Sequence, residues 1–452
     1  EGNGLVKIDK EGNSIIYTTE EGLNSNTIRT TFQDSQGKIW IGTNKGLCYF
    51  EDNQIKIEEQ VADYPINRML EDYYGSLWLA SEKGLLRRNV KTKELEVLNE
   101  KNGLPHKNIQ DILLDIEGNL WFTTYRAGLG RIQESKFSNY TMHSGLASKA
   151  ISAIHEIGTN EYLVATDVGI INKINKDKIS KFNFQTNLHN ARLKHLNKDS
   201  QGNILISSYA GLLMISPDGT ETLHNKKSGL PSSQIRMTFE DHLGNIWIGT
   251  RVHGLIKMTP DKKITVYNKE NSDLSSNFIM SIAQDKTNKL IIGTNDSGVN
   301  IINIEEGFTV TSYIQELTSR LVFSTYTDKE NNTWITTNTG LNHLKNGKIT
   351  HCGAKDGLLT GVCFDMIEDD NGYFWISTSF GVMRVSKQEL NEFVAGKKDK
   401  ITSVKMFNRS DGMAGEECTG AAFSIKTQGG ILMFPTLSGV TFIDPNNILI
   451  NS

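Results

Sequence analysis

Gly244-Asn245-Ile246-Trp247-Ile248-Gly249-Thr250 is the stretch that decides the fold. It recurs as Gly37-Lys38-Ile39-Trp40-Ile41-Gly42-Thr43, and each copy is soon followed by another Gly and an apolar residue, Gly254-Leu255 and Gly46-Leu47. Looser copies are Ser76-Leu77-Trp78, Asn119-Leu120-Trp121, Asn332-Thr333-Trp334 and Tyr373-Phe374-Trp375. The closing glycines are Gly4, Gly46, Gly84, Gly128, Gly169, Gly211, Gly254, Gly298, Gly340, Gly381 and Gly439. They lie on average about 43.5 residues apart, within the roughly 40–45 residues of a β-propeller blade. The last interval is the longest. It holds Ser386 to Gly415, where Glu389 to Phe393 is helical in character, and reads as an insertion in a blade.

All six tryptophans of the chain occupy one slot of the repeat. The remaining copies place Leu163, Leu205, Ile291 and Met433 there. Three residues on, every copy has a small hydroxyl: Thr43, Ser81, Thr124, Thr166, Ser208, Thr250, Thr294, Thr337, Thr378 and Thr436. A slot that collects every Trp is a packing slot, because large aromatics supply most of a sheet-to-sheet core. The tryptophans are therefore expected between blades rather than on a sugar-stacking platform.

Residues 229–271 spell one blade. Gln234 to Glu240, Asn245 to Thr250, Gly254 to Met258 and Ile264 to Tyr267 read as four antiparallel strands, here called A to D, separated by Gly-, Pro- and Asp-bearing turns. Counting directions puts the B–C turn and the D–A loop on one face and the A–B turn on the other. Loops on a rigid scaffold carry binding chemistry, so the first face is the one to search.

The 452 residues carry 48 Lys+Arg against 52 Asp+Glu, a net charge of −4, which argues against a broad nucleic-acid-binding surface. No run of about 18 apolar residues is present, so no segment reads as a membrane span. Forty glycines against seven prolines point to many tight turns. Ten intervals exceed the four to eight blades of most propellers. The expected organisation is an all-β protein with a partial N-terminal propeller, residues 1–140, of about three full blades and a remnant. A complete seven-bladed propeller, residues 141–452, follows. The alternative is one ring of about ten blades over 1–452. The chain opens in mid-repeat, as if trimmed, so the lack of a signal peptide carries little weight.

The motifs of P-loops, nucleophile elbows, zincins and dinucleotide folds are not found. Cys48, Cys352, Cys363 and Cys418 form no CxxC pair and read as buried free thiols. His189 and His195 read as solvated. Asn197 to Gly202 imitates the start of a calcium loop, but its twelfth position is Ser208 where a bidentate Glu is needed. Asp34, Asp72, Asp115, Asp241, Asp285, Asp328 and Asp369 repeat on the A–B turns and read as turn caps rather than an acid/base pair. No metal or cofactor is expected.

Residues 229–255, and similarly 22–47 and 103–129, closely resemble the two-component regulator propeller repeat. Asp411-Gly412-Met413, Glu416-Glu417-Cys418 and Gly439 to Pro445 resemble the last blade of such sensors. The resemblance covers essentially the whole chain. It implies the extracytoplasmic region of a bacterial membrane receptor, on the periplasmic face of the inner membrane. Such receptors carry two seven-bladed propellers, a Tyr-rich immunoglobulin-like domain, a membrane span and an output module, usually a histidine kinase and sometimes a diguanylate cyclase. In gut-type Bacteroidetes the ligands are often glycan fragments. This region itself is then not an enzyme. Its partners would be an oligosaccharide or other small polar ligand and a second copy through the full receptor, with the membrane reached only through a downstream span.

Turn residues on the B–C face of the C-terminal propeller are Asp167, Tyr209, Arg251, His253, Asn295, Asp296, Asn338 and Phe380. Arg192, Arg236 and Arg320 stand at the starts of A strands near the channel mouth. Guanidinium forks suit carboxylate or sulfate, so an acidic or polar oligosaccharide is expected, with Tyr209 or Phe380 stacking on a sugar face. The bland alternative pairs these arginines with neighbouring carboxylates. Two other functions compete. Leu120 to Thr124 with Gly130-Arg131-Ile132 is similar to repeats of streptogramin lyase propellers. A propeller face can also serve as a protein-binding scaffold.

Overall fold

The structure is a computed structural model that describes residues 2–89, 92–116, 118–132, 136–188, 191–420 and 422–447. It is built almost wholly from antiparallel sheet and divides into two compact units, Glu1–Glu134 and Ser135–Ile450. In the first unit the described residues form one two-stranded, two four-stranded and one three-stranded sheet. Trp40 and Trp78 are buried there, while Trp121, in the three-stranded sheet, is partly exposed.

The second unit is a seven-bladed β-propeller of four-stranded antiparallel sheets. Its third blade consists of Ile235–Glu240, Ile246–Thr250, Leu255–Met258 and Ile264–Tyr267. The seventh blade takes its outer strand from the start of the unit: Ser138–Tyr140 pairs with Gly439–Ile443, Tyr140 opposite Val440. This strand precedes the expected start at 141. Tyr140, Met433 and Val440 then pack with Ile151, Tyr162 and Val164 of the first blade, which closes the ring.

Between blades the core is continuous. Trp247 of the third blade is fully buried against Ile279, Ile282, Leu290 and Ile292 of the fourth. Trp375 of the sixth blade packs with Phe434 of the seventh. These tryptophans are packing residues, as their slot predicts. The closing glycine has its own reason. Gly254 has φ +75, and a Cβ there would collide with the Tyr267 carbonyl oxygen on the outer strand. The helix Lys387–Val394, capped by Ser386, is the insertion between Gly381–Ser386 and Lys405–Phe407.

One irregularity positions the site. In each of the first five blades the innermost strand slips register at its second residue, as between Leu193 and His195 and between Ile235 and Met237. Regular alternation would send Ile235 and Met237 to the same side. With the bulge, Ile235 packs toward the second blade and Met237 toward the fourth. The residue between them faces neither core and turns to the channel, because a bulge re-aims a side chain.

Candidate functional site

In each of the first four blades of the second unit, the first residue of the B–C turn is tied to the residue just before the innermost strand. The Tyr209 N–H donates to the Arg192 carbonyl at 3.1 Å, Arg251 to Gln234 at 3.1 Å, Asn295 to Phe278 at 3.1 Å and Asp167 to Ala150 at 3.0 Å. The turn side chains therefore stand around the channel mouth, beside the bulges.

On the second and third blades this mouth is cationic. Arg236 occupies the bulge of the third blade and is only 8% exposed. Lys194 occupies the same bulge one blade earlier. Burial, with repulsion from Arg236, Arg192 and Arg251, pushes the Lys194 ammonium down to about 8. Burial also lowers the Arg236 guanidinium, with Tyr209 opposing and Arg251 adding to the shift. The Tyr209 ring carries Lys194 Nζ at 5.2 Å and the Arg251 guanidinium at 5.8 Å from its centroid. Arg251 also lies 5.8 Å from the Phe278 ring. Among the described residues, none of Arg192, Lys194, Arg236 and Arg251 has a carboxylate within ion-pair distance. The pairing alternative therefore fails for this group.

Below the cations, His195 meets Phe423 edge-on, ring centroids 5.6 Å apart. Phe423 comes from the seventh blade and also packs against the core shared by the third and fourth blades, so it spans the channel and floors the mouth. Burial, then His155 and Arg236, pushes the His195 imidazole down to about 3. The solvated reading of His195 is thereby corrected: it is a partly buried ring held neutral, whose Nδ1 accepts from the Thr238 N–H at 3.4 Å. His189 lies outside the described residues. On the far side of the ring, the fifth and sixth blades offer Phe323 and Phe364, edge-to-face at 5.1 Å.

Of the ten sequence candidates, Arg192, Tyr209, Arg236 and Arg251 are brought together. Arg320 and Asn338 are exposed on the fifth blade, and Arg320 is not among the charges acting on Lys194 or Arg236. Asn295 and Asp296 sit on the fourth blade, Asp296 accepting from Ser297 Oγ at 3.2 Å. Phe380 is 63% exposed on the sixth blade. His253 has a buried Nδ1 with no partner among the described residues. Lys194 was missed by reading arginines only. It stands at the same spacing before Ser208 as Arg236 before Thr250, and that frame was available. The calcium-loop imitation is a repeat turn, Asp199 Oδ1 accepting from the N–H of Asn203 at 2.8 Å. All four cysteines are buried and free.

Residues 22–45, 103–126 and 229–251 match the family described as the two component regulator propeller. The chain thus carries repeats of that family. Among solved structures, it is similar to the extracellular domain of a protein named as the hybrid two component system BT3049 from B. thetaiotaomicron. The TM-score is 0.74 at 24% identity, over 98% of this chain and 59% of that one. The chain therefore spans less than two thirds of that relative's length. It is also similar to the extracellular domain named as the one component system BT4673 of the same organism, with a TM-score of 0.57 at 15% identity, over 100% and 69%. Virginiamycin B lyase from Staphylococcus aureus matches with a TM-score of 0.53 at 13% identity, over 68% and 99%. These likenesses are of fold. No curated protein matches the chain.

Proposed function

We propose that this chain is the ligand-sensing part of a membrane two-component sensor histidine kinase. It lies on the periplasmic side of the inner membrane, reads an oligosaccharide or other small polar ligand, and signals to transcription, with a second copy engaged through the full receptor. The observation that carries this is the mouth of the second unit. Turn side chains from successive blades stand around one opening floored by Phe423, on a scaffold of two-component regulator propeller repeats. Polar and charged side chains set beside aromatic rings are the groups that line small-ligand sites. Tyr209 supplies a face for a sugar ring, and the B–C turns supply polar partners.

The test is thermal unfolding of the chain against neutral and acidic oligosaccharides. A ligand that binds only the native state raises the midpoint with concentration. A shift with one glycan class, reduced by Tyr209→Ala, supports the reading. Binding of that glycan undiminished by substitutions around this mouth overturns the placement of the site.

A further inference from the structure

Arg236 is an expensive residue to leave as it is. Its guanidinium is charged at every accessible pH, it is 8% exposed, and no carboxylate of the described residues pairs with it. Burying an unpaired charge costs stability. Lys194, half-buried, stands in the same bulge one blade earlier, again with no carboxylate of the described residues within ion-pair distance. Arg192 and Arg251 extend the charge outward to exposed positions. A run of like charges from the nearly buried Arg236 to the rim, with no carboxylate of the described residues within ion-pair distance, is a site suited to an anion.

From this juxtaposition we infer that the mouth between the second and third blades binds an oxyanion, a carboxylate or a sulfate, carried on a ring-shaped body, with Arg236 and Lys194 holding the anion. This rests on the sensor reading and sharpens it. Arg236 supplies the fork that donates to two oxygens in parallel. Lys194 supplies a point charge beside it. Both are already turned to the channel by their bulges, so little ordering remains to be done on binding. The body of the ligand has Tyr209 beside the cations, itself polarised by Lys194 and Arg251, and the Phe323–Phe364 pair on the opposite blades. An anionic sugar fits this division: one charged edge and one C–H face. A neutral ligand would leave Arg236 unpaired.

The test uses the whole chain at low ionic strength, where charge attraction is least screened. Calorimetric titrations are run with acetate, sulfate, galacturonate, galactose 6-sulfate and galactose. Saturable binding of at least one anion is expected, weakened about tenfold or more in both Arg236→Met and Lys194→Met. It should be unchanged in Lys178→Gln, an exposed lysine on the opposite face. Galacturonate against galactose 6-sulfate tells carboxylate from sulfate. Without ligand, Arg236→Met should unfold at the same or a higher temperature than the parent, because it removes an unpaired charge. If Arg236→Met does not fold, Lys194→Met decides alone. Absence of saturable binding by all four anions, or binding undiminished in the variants, overturns the inference. A neutral oligosaccharide that binds while the anions do not overturns it too, and leaves the sensor reading standing.

Discussion

The indole N–H of Trp247 donates to Oδ2 of Asp241 at 2.7 Å, both side chains being buried. The other oxygen, Oδ1, accepts from the N–H groups of Leu243 and Asn245, each at 2.9 Å. One carboxylate thus shapes the A–B turn and fixes the ring that packs against the next blade. The same bond joins Trp40 to Asp34, Trp78 to Asp72, Trp121 to Asp115 and Trp375 to Asp369. Trp334 departs from the pattern. Its Nε1 has no partner among the described residues, and Asp328 instead has Lys387 Nζ at 3.6 Å, reached from the inserted helix.

Asp241→Ala should therefore cost more than a turn cap usually does. It strands two backbone donors and a buried indole N–H at once. A loss of about 3 kcal/mol is expected, from hydrogen bonds to a charged group worth roughly 1.5–3 kcal/mol each and not additive. Trp247→Phe keeps most of the packing and should cost less. Urea unfolding of the two variants checks the order.

The hydroxyl slot has an equally local explanation. Thr250 Oγ1 donates to the Gly254 carbonyl at 2.8 Å and accepts from the His253 N–H at 2.9 Å, so it staples the B–C turn that borders the channel mouth. Thr436 does the same with Gly439 at 2.8 Å and Ser438 at 3.0 Å. Thr250→Val removes both bonds at constant volume, leaving the site fully buried. The expected cost is about 2 kcal/mol, while Thr250→Ser should fall well below that. A shift in urea midpoint as large for Ser as for Val would refute the staple.

The blades were legible because three signals repeat in phase: the Trp slot, the hydroxyl and the closing glycine. Their strand bounds in the third blade agree to within a residue or so with the sequence reading. The closing strand Ser138–Tyr140 was not legible. Three residues are too few to show alternation, and Asn139 meets Thr441 across 302 positions of chain. The mouth was half legible. The repeat frame puts Tyr209 and Arg251 on the face that the B–C turns share. It does not show that a bulge turns Lys194 and Arg236 inward, nor that Phe423 crosses from the seventh blade to floor the site. Both depend on packing between blades far apart in sequence.

Ring closure hangs on that short strand, and its central residue is the place to test it. Asn139 Nδ2 donates to the Gly412 carbonyl at 2.8 Å, and Asn139 Oδ1 accepts from Thr441 Oγ1 at 2.8 Å. Flanking it, Tyr140 stacks on Phe442 at 4.8 Å, and Phe137 is buried against Phe407. Asn139→Ala should lower stability by about 1–2 kcal/mol. It should also raise amide exchange first along Gly439–Ile443, because the outer strand frays before the ring opens. Exchange that rises equally in all blades would mean the closure is not the weak point.

Mild acid should weaken the propeller through its buried histidines. Burial pushes His195 down to about 3, and His155 and His343 down to about 4. In the unfolded chain these rings titrate near 6.5. Between those values the unfolded state binds more protons than the native state, so stability falls as pH falls through this window. Asp365 works the other way, since burial raises its carboxyl. The readout is therefore a difference between proteins rather than the raw slope. Urea midpoints at pH 7.5 and pH 5 should drop for the parent chain and drop less for the His155→Gln, His195→Gln double variant. Asp328, whose carboxyl is lowered in the native state, loses its contribution only nearer its unfolded value of 3.8, and Asp365 is common to both proteins, so the difference between them reports the two histidines. Equal drops in parent and variant would mean that the two rings are hydrated or already protonated in the native state, and that Phe423 does not seal the channel above them.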